Sequence, residues 1–189
     1  MTDTASRIAA AARELLAEEG STAVTMRRIG GKIGLSGMAV YRHYPSRDAL
    51  LAHLADGYFA ELAERWSDLP TTAPDEALHL GLERMTDFAL AEPRVYTFLF
   101  TEQRPGAREF GELRAGNSPT FNLVVAAVKA QMDAGRLRRD DPWLVGLTIT
   151  SHLHGLIGLH LGGRIGLPDG EFRELCRQSL ERILHGLRD

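Results

Sequence analysis

The sequence predicts an all-α protein of about nine helices, a head of three short helices followed by a longer helical body. Three observations carry this. Apolar residues recur at the three-to-four spacing of a helix along nearly the whole chain. Ser, Thr, Asp, Gly and Pro sit where those runs begin and end. The one β-rich apolar run, Val95 to Phe100, has no second run to pair with and therefore reads as helix.

Taken in order, Ile8, Ala11, Ala12, Leu15 and Leu16 form the apolar face of a first helix, capped by Asp3 or Thr4 and stopped by Gly20. Thr25 caps a short second helix carrying Met26, Ile29 and Ile33 and ending at Gly34. Ser36 caps a third, running to about Tyr44, where Pro45 disfavours helical geometry in the residue before it. Ser46 caps a fourth with Leu50, Leu54, Tyr58 and Leu62. Asp68 to Pro74 reads as a hinge between a head over residues 1–51 and a body over residues 52–189. In the body, Leu78, Leu82, Met85 and Ala89 mark a fifth helix stopped by Pro93, and Gln103 to Asn117 is glycine-rich and expected to be irregular. Pro119 opens a helix with Phe121, Val124, Val125, Val128 and Met132, closed by Gly135. Asp141-Pro142 opens one that is apolar nearly all round, to about Leu161. Asp169 caps the last, striped by Phe172, Leu175, Cys176, Ser179, Ile183 and Leu187.

Composition narrows the class. Hydrophobic residues at 44% and charged residues at 25% fit a folded chain and argue against wholesale disorder. The longest apolar stretch, Trp143 to Leu161, is interrupted by glycine, serine and histidine, so no membrane partner is expected. The N-terminus lacks a basic start with a cleavage site, and the lone Cys176 cannot form an internal disulfide; both favour the cytoplasm. Cys176 is expected to be buried packing rather than a redox sensor.

Net charge is −3 but unevenly spread. No Asp or Glu lies between Glu19 and Asp48, whereas Arg27, Arg28, Lys32, Arg42 and Arg47 do. A basic head on an acidic body is what a protein needs if one end meets phosphates. The gap between the second and third helices, Gly34-Leu35 before the cap Ser36, is the spacing of a helix-turn-helix. A helix that reads the major groove presents short or polar side chains at its exposed start and buries its other face. Ser36 to Tyr44 fits. Val40 and Tyr44 can face a core with Ile29, Ile33 and Leu50, leaving Gly37, Met38, Tyr41 and Arg42 outside.

Thr25-Met26-Arg27-Arg28-Ile29, then Gly34-Leu35-Ser36, then Val40 through Leu51 (VYRHYPSRDALL) resembles the DNA-binding head of the tetracycline-repressor (TetR) family, over Arg7 to about Leu51. The resemblance implies backbone contacts from Thr25 and Arg28, base-facing positions at Gly37, Met38 and Arg42, and phosphate contacts from Tyr41 and His43. Arg47 stands where a lysine is usual, and Arg27, Lys32 and Ser36 complete the candidate set. Gly30 and Ile33 stand where alanine is common. Glycine costs a helix up to about 1 kcal/mol relative to alanine, so a soft second helix is expected.

For the body the resemblance implies a helical ligand-binding and dimerisation domain. The last two helices would pair with a second copy to make a homodimer on a palindromic double-stranded DNA operator. A small-molecule effector would be held among polar and apolar residues of the body, with Arg84, Met85, Phe88, Phe98, Glu102, Phe121, His152 and His154 as candidates, beside Asp87 and Trp143. His154-Gly155-Leu156 resembles a subgroup with a His-Gly signature, though the tryptophan usual just before it is missing. His152 and His154 are two residues apart, hence on different faces of a helix, and are not expected to share a metal. No P-loop, dinucleotide glycine pattern, metal-ligand spacing or nucleophile elbow is present, so neither enzyme chemistry nor a cofactor is expected. The competing readings are an effector-independent DNA-binding protein and, further off, an enzyme in the body.

Overall fold

The computed structural model describes residues 3–69, 74–103 and 110–188. Among these there are ten α-helices, one short 3-10 turn and no strand. The chain divides into two compact units, one of Met1–Phe59 with Glu92–Ala107, the other of Ala60–Ala91 with Arg108–Asp189.

The first unit contains α1 (Thr4–Glu19), α2 (Met26–Ile33), α3 (Gly37–Tyr41), the start of α4 (Arg47–Arg65) and α6 (Pro93–Phe100). Helix α1 buries Ile8, Ala11, Ala12, Leu15 and Leu16 and ends at Gly20, whose positive φ of 88° suits glycine. A 3-10 turn over Ser21–Ala23 leads to Thr25, whose side chain accepts a hydrogen bond from the Arg28 amide. Helix α2 stops at Gly34 in the left-handed region, φ 74°. Ser36 caps α3 through the Ala39 amide, and Ser46 caps α4 through the Ala49 amide. The head's core is Ile8, Leu16, Ile29, Val40 and Leu50, all fully buried. Helix α6 packs on α1, burying Val95, Tyr96, Phe98 and Leu99, so the β-rich run is helical.

The second unit is built on α5 (Pro74–Ala91), α8 (Pro119–Asp133), α9 (Pro142–Leu161) and α10 (Asp169–Gly186), with a short α7 (Phe110–Arg114). Helix α9 buries Val145, Ile149, Leu153 and Ile157, and α10 buries Phe172, Cys176, Leu180 and Leu184. Each set repeats every fourth residue, the row that interdigitates with a neighbouring helix. Helix α9 is 20 uninterrupted residues, so by length and composition it is long and apolar enough to cross a membrane, with a mean hydropathy of 1.3. It runs over the span the sequence predicts, its glycines, serine and histidines included, and it lies against α5, α8 and α10.

Other boundaries also differ from expectation. Helix α3 ends at Tyr41, because the His43 and Tyr44 amides both turn back onto the Val40 carbonyl ahead of Pro45. Part of the stretch expected to be irregular, Gln103 to Asn117, forms α7. It is held by tertiary contacts: Arg114 pairs with Asp141 at 2.9 Å, the Trp143 indole N–H donates to the Leu113 carbonyl, and Phe110 meets Trp143 edge-on. The cap of α10 is Pro168, and Asp169 serves as a first-turn acid. The expected hinge at Asp68 to Pro74 includes residues 70–73, which lie outside the described residues.

Gly30 has a packing reason that its helix propensity alone does not reveal. A Cβ there would meet the Leu35 carbonyl oxygen at 2.5 Å, whereas one at Gly31 would meet nothing within 4 Å. Gly30 is therefore a close-packing residue, and Gly31 is an exposed helical glycine. Gly31→Ala is expected to stabilise the protein by up to about 1 kcal/mol. Gly30→Ala is expected not to, because the turn backbone must move. Melting temperatures of the two variants decide this, and equal gains would mean the close approach is not real.

Candidate nucleic-acid interface

Helices α2 and α3 are joined by a turn whose geometry follows from three local facts. Gly34 takes the left-handed conformation, the Leu35 amide donates to the Gly30 carbonyl at 2.8 Å, and the Ser36 cap starts the next helix. Val40 faces the core, while Tyr44 and Ile33 are half-buried. The outer face of α3 is left bare: Met38 is 75% exposed and Tyr41 47%. Gly37 has ordinary room for a Cβ, whose nearest neighbour would be the Arg27 Cα at 3.7 Å. Packing does not demand glycine there; its effect is to expose backbone at the start of α3.

The basic residues fall into two groups. Arg27 and Arg42 are exposed and, among the described residues, engage no hydrogen bond or ion pair. His43 is exposed beside them. Arg28 instead forks onto Glu19 of α1, its Nη1 donating at 2.9 Å, and this hydrogen bond holds the Glu19 carboxyl below its ordinary range. Lys32 pairs with Glu14 at 2.8 Å and lies 3.9 Å from Glu18. Arg47 points its guanidinium at the head's own backbone, donating to the Val24 carbonyl at 2.8 Å and the Ser21 carbonyl at 2.6 Å. Sequence reasoning placed Arg28, Lys32 and Arg47 among the candidate contacts without these partners. The acids of α1 lie before the acid-free stretch in sequence and were overlooked as its neighbours in space. Arg7, also overlooked, donates to the Ile33 carbonyl at 2.9 Å and ties α1 to the end of α2.

The candidate effector residues are divided between the two units. Phe98 and Glu102 belong to the first unit, where the Ser21 hydroxyl donates to Glu102 at 2.5 Å. Arg84 pairs with Asp68 and donates to the Arg65 carbonyl. Phe88 is buried and Met85 half-buried on α5, and Phe121 packs edge-on against Trp143. His154 is half-buried on α9, and burial pushes its imidazole down to about 4. His152 is exposed and lies 2.5 Å from the Ser179 hydroxyl. Of the eight, only His152 lines the cavity of about 280 Å³ that opens between α5, α9 and α10. Leu82, Thr86 and Leu180 also line it; each sits on an apolar helix stripe, where nothing in the sequence separates cavity wall from core. Cys176 is buried on the same wall, and burial pushes its thiol up to about 11, away from the reactive thiolate.

A helix-turn-helix with a bare recognition face, carried with an all-helical body, defines the class: a DNA-binding transcriptional regulator. Residues 8–54 match the model of bacterial regulatory proteins of the tetR family, and residues 78–186 match that of the tetracyclin repressor-like C-terminal domain. The chain belongs to the TetR family. Among solved structures it is similar to a protein of unknown function from Rhodococcus sp. RHA1, with TM-score 0.80, 23% identity, and coverage of 100% of this chain and 97% of that one. A TetR transcription regulator from Haloarcula marismortui gives 0.77 and 22%, covering 100% of both chains. The transcriptional regulator FadR from Bacillus subtilis, in complex with stearoyl-CoA, gives 0.74 and 16%, covering 97% of this chain and 99% of that one. These likenesses show the fold. No curated protein matches the chain significantly.

The depressed His154 has a consequence for stability. Its imidazole is at about 4 when folded and near 6.5 when unfolded, so the unfolded chain binds the proton first as pH falls. The folded state therefore loses stability between pH 6.5 and 4, by on the order of 2 kcal/mol at about pH 5. In melts at about pH 7 and pH 5, His154→Leu should lose less melting temperature than the parent. An identical loss would show that His154 does not titrate between folded and unfolded states.

Proposed function

We propose that the protein is a homodimeric, non-enzymatic repressor acting in the cytoplasm, which grips a palindromic duplex operator and releases it when a small molecule occupies the body. The bare face of α3, with Gly37, Met38, Tyr41 and Arg42 outward and Arg27 unengaged beside it, is the observation that carries this reading. Met38 meets a thymine methyl, Arg42 a guanine edge or a phosphate, and Tyr41 and His43 phosphate oxygens. Thr25, Arg28 and Arg47 contribute at the ends of α2 and α4, where unpaired amides and the helix dipole attract anions. For Arg28 and Lys32, phosphate replaces the α1 carboxylates they hold in the free protein.

The dimer reading is supported by α9. Its twenty residues include no Asp, Glu, Lys or Arg, yet Leu144 and Leu159 are 49% and 48% exposed. An uncharged, half-apolar helix face suits pairing with its symmetry mate, together with α10. A two-fold dimer matches a two-fold operator, with recognition helices about one DNA turn apart. Release requires the effector to bind the non-gripping state more tightly; tight binding alone shifts nothing. That the regulator FadR, a fold neighbour, is found in complex with stearoyl-CoA, an amphipathic molecule, supports a small apolar or amphipathic effector.

Duplexes enriched from a random library, titrated at several salt concentrations, test the reading. Affinity is expected to fall linearly in log-log form as salt rises. Replacing Tyr41 and Arg42 together by alanine should weaken binding at least about tenfold, each contact being worth on the order of 1–3 kcal/mol. Salt-independent binding, or full affinity in the double variant, would remove α3 as the reading helix.

A further inference from the structure

The cavity between α5, α9 and α10 has a wall and a mouth of different chemistry. Its wall is Leu82, Ile149, Leu153 and Leu180 with Thr86 and Cys176. The two polar groups of that wall are satisfied by each other and by the backbone: the Cys176 thiol hydrogen-bonds the Thr86 hydroxyl, which donates to the Leu82 carbonyl at 2.9 Å. Among the described residues no buried side-chain nitrogen or oxygen lacks a partner. Apart from His152, exposed at the edge and bonded to the Ser179 hydroxyl, the chamber therefore offers no polar partner to a charged group.

The mouth is charged, and apart from Glu83 its charges are joined to one another. Arg173 of α10 donates to Asp87 of α5 at 2.6 Å, and His79 of α5 lies 2.7 Å from Glu181 of α10, so two contacts span the same seam. Arg177 is held by Glu174, its Nε donating at 2.8 Å, and also feels Glu83. A ligand charge carried into the chamber would lose its hydration and meet no unpartnered buried polar group there. The acids at the mouth outnumber the arginines, which turns anions away further. The pairs themselves are solvent-exposed and individually weak, so they part and re-form without a large cost to the fold.

We infer that this cavity binds a compact, neutral, predominantly apolar molecule, admitted when the α5–α10 ion pairs open. At about 280 Å³ it lies just below the usual range of ligand pockets, which suits a single ring with small substituents. The inference rests on the reading of the body as an effector domain, whose occupant it specifies.

The test uses the full-length protein with methyl-labelled Leu and Ile and three ring compounds of similar size: p-cresol, benzoate and benzylammonium. Each is titrated to the same millimolar concentration while methyl resonances are followed. The expected result is saturable shifts at Leu82, Ile149, Leu153 and Leu180 with p-cresol, and none with the two ions. Cys176→Leu, which adds volume to the wall, should abolish the p-cresol shifts while other methyl resonances stay dispersed. If that variant does not fold, the contrast among the three probes on the parent protein still decides. No p-cresol shifts, or equal shifts from an ion, would overturn the inference. Duplex binding by the same protein, measured before any ring compound is added because an occupied body is expected to release the duplex, separates the two readings. Intact duplex binding without p-cresol shifts sinks the cavity assignment alone. Lost duplex binding with the shifts intact sinks the regulator reading and leaves the cavity as a neutral-ligand site.

Discussion

How closely α2 approaches the turn that follows it governs the geometry of the head. The Leu35 carbonyl sits where a Cβ on Gly30 would be, so an alanine at that place requires a wider turn. The close approach brings the Leu35 amide onto the Gly30 carbonyl and sets Ser36 to cap α3. From there the helical period alone decides which residues point out: Val40 goes to the core, and Met38 and Tyr41 go to solvent. Arginines then fix the frame from both sides. Arg7 holds the carbonyl of Ile33 at the end of α2, and Arg47 holds two carbonyls of the segment before it. A planar fork of donors on backbone carbonyls orients better than a lysine point charge, which gives the Arg47 departure from the usual lysine a structural meaning.

In the body, the same residue types serve different ends according to depth. Leucines and isoleucines repeating every fourth residue on α9 and α10 close the core, yet where α5 meets those two helices the packing leaves a chamber. The ionic residues above it contribute little to stability because they are exposed. Their excess of acids gives the mouth a negative field that turns anions away. His154 shows the opposite case. Half-buried on α9, it stays neutral through the physiological range because the imidazolium would lose its hydration.

Much of the fold was legible because it is written in short-range chemistry. Caps at Thr25, Ser36 and Ser46, stops at Gly20 and Gly34, and the periodic apolar faces all act within one or two helical turns. The misreadings lie where distant residues decide. Helix α7 is held by Asp141 and Trp143, some thirty positions further on, and Gly30 looks like a weak helix former until Leu35 is seen above it. Phe98 and Glu102 lie within the stretch matched by the C-terminal-domain model, yet by their contacts they group with the compact unit that contains α1. The outward face of α3 was readable from spacing. The engagement of Arg28, Lys32 and Arg47 was not, because a count of charges along the chain says nothing of the helix lying alongside.

That engagement changes the ion traffic of any encounter with a polyanion. A lone surface cation meeting a phosphate frees a mobile counterion from the duplex, and the entropy of that release drives association. Arg28 and Lys32 already carry Glu19 and Glu14 as tethered counterions that cannot diffuse away. When these two cations turn to a phosphate, the stranded carboxylates must recruit salt cations of their own, offsetting part of the gain. On the proposed reading the head would exchange fewer ions than its formal charge implies, and Arg27 and Arg42 would carry most of that exchange.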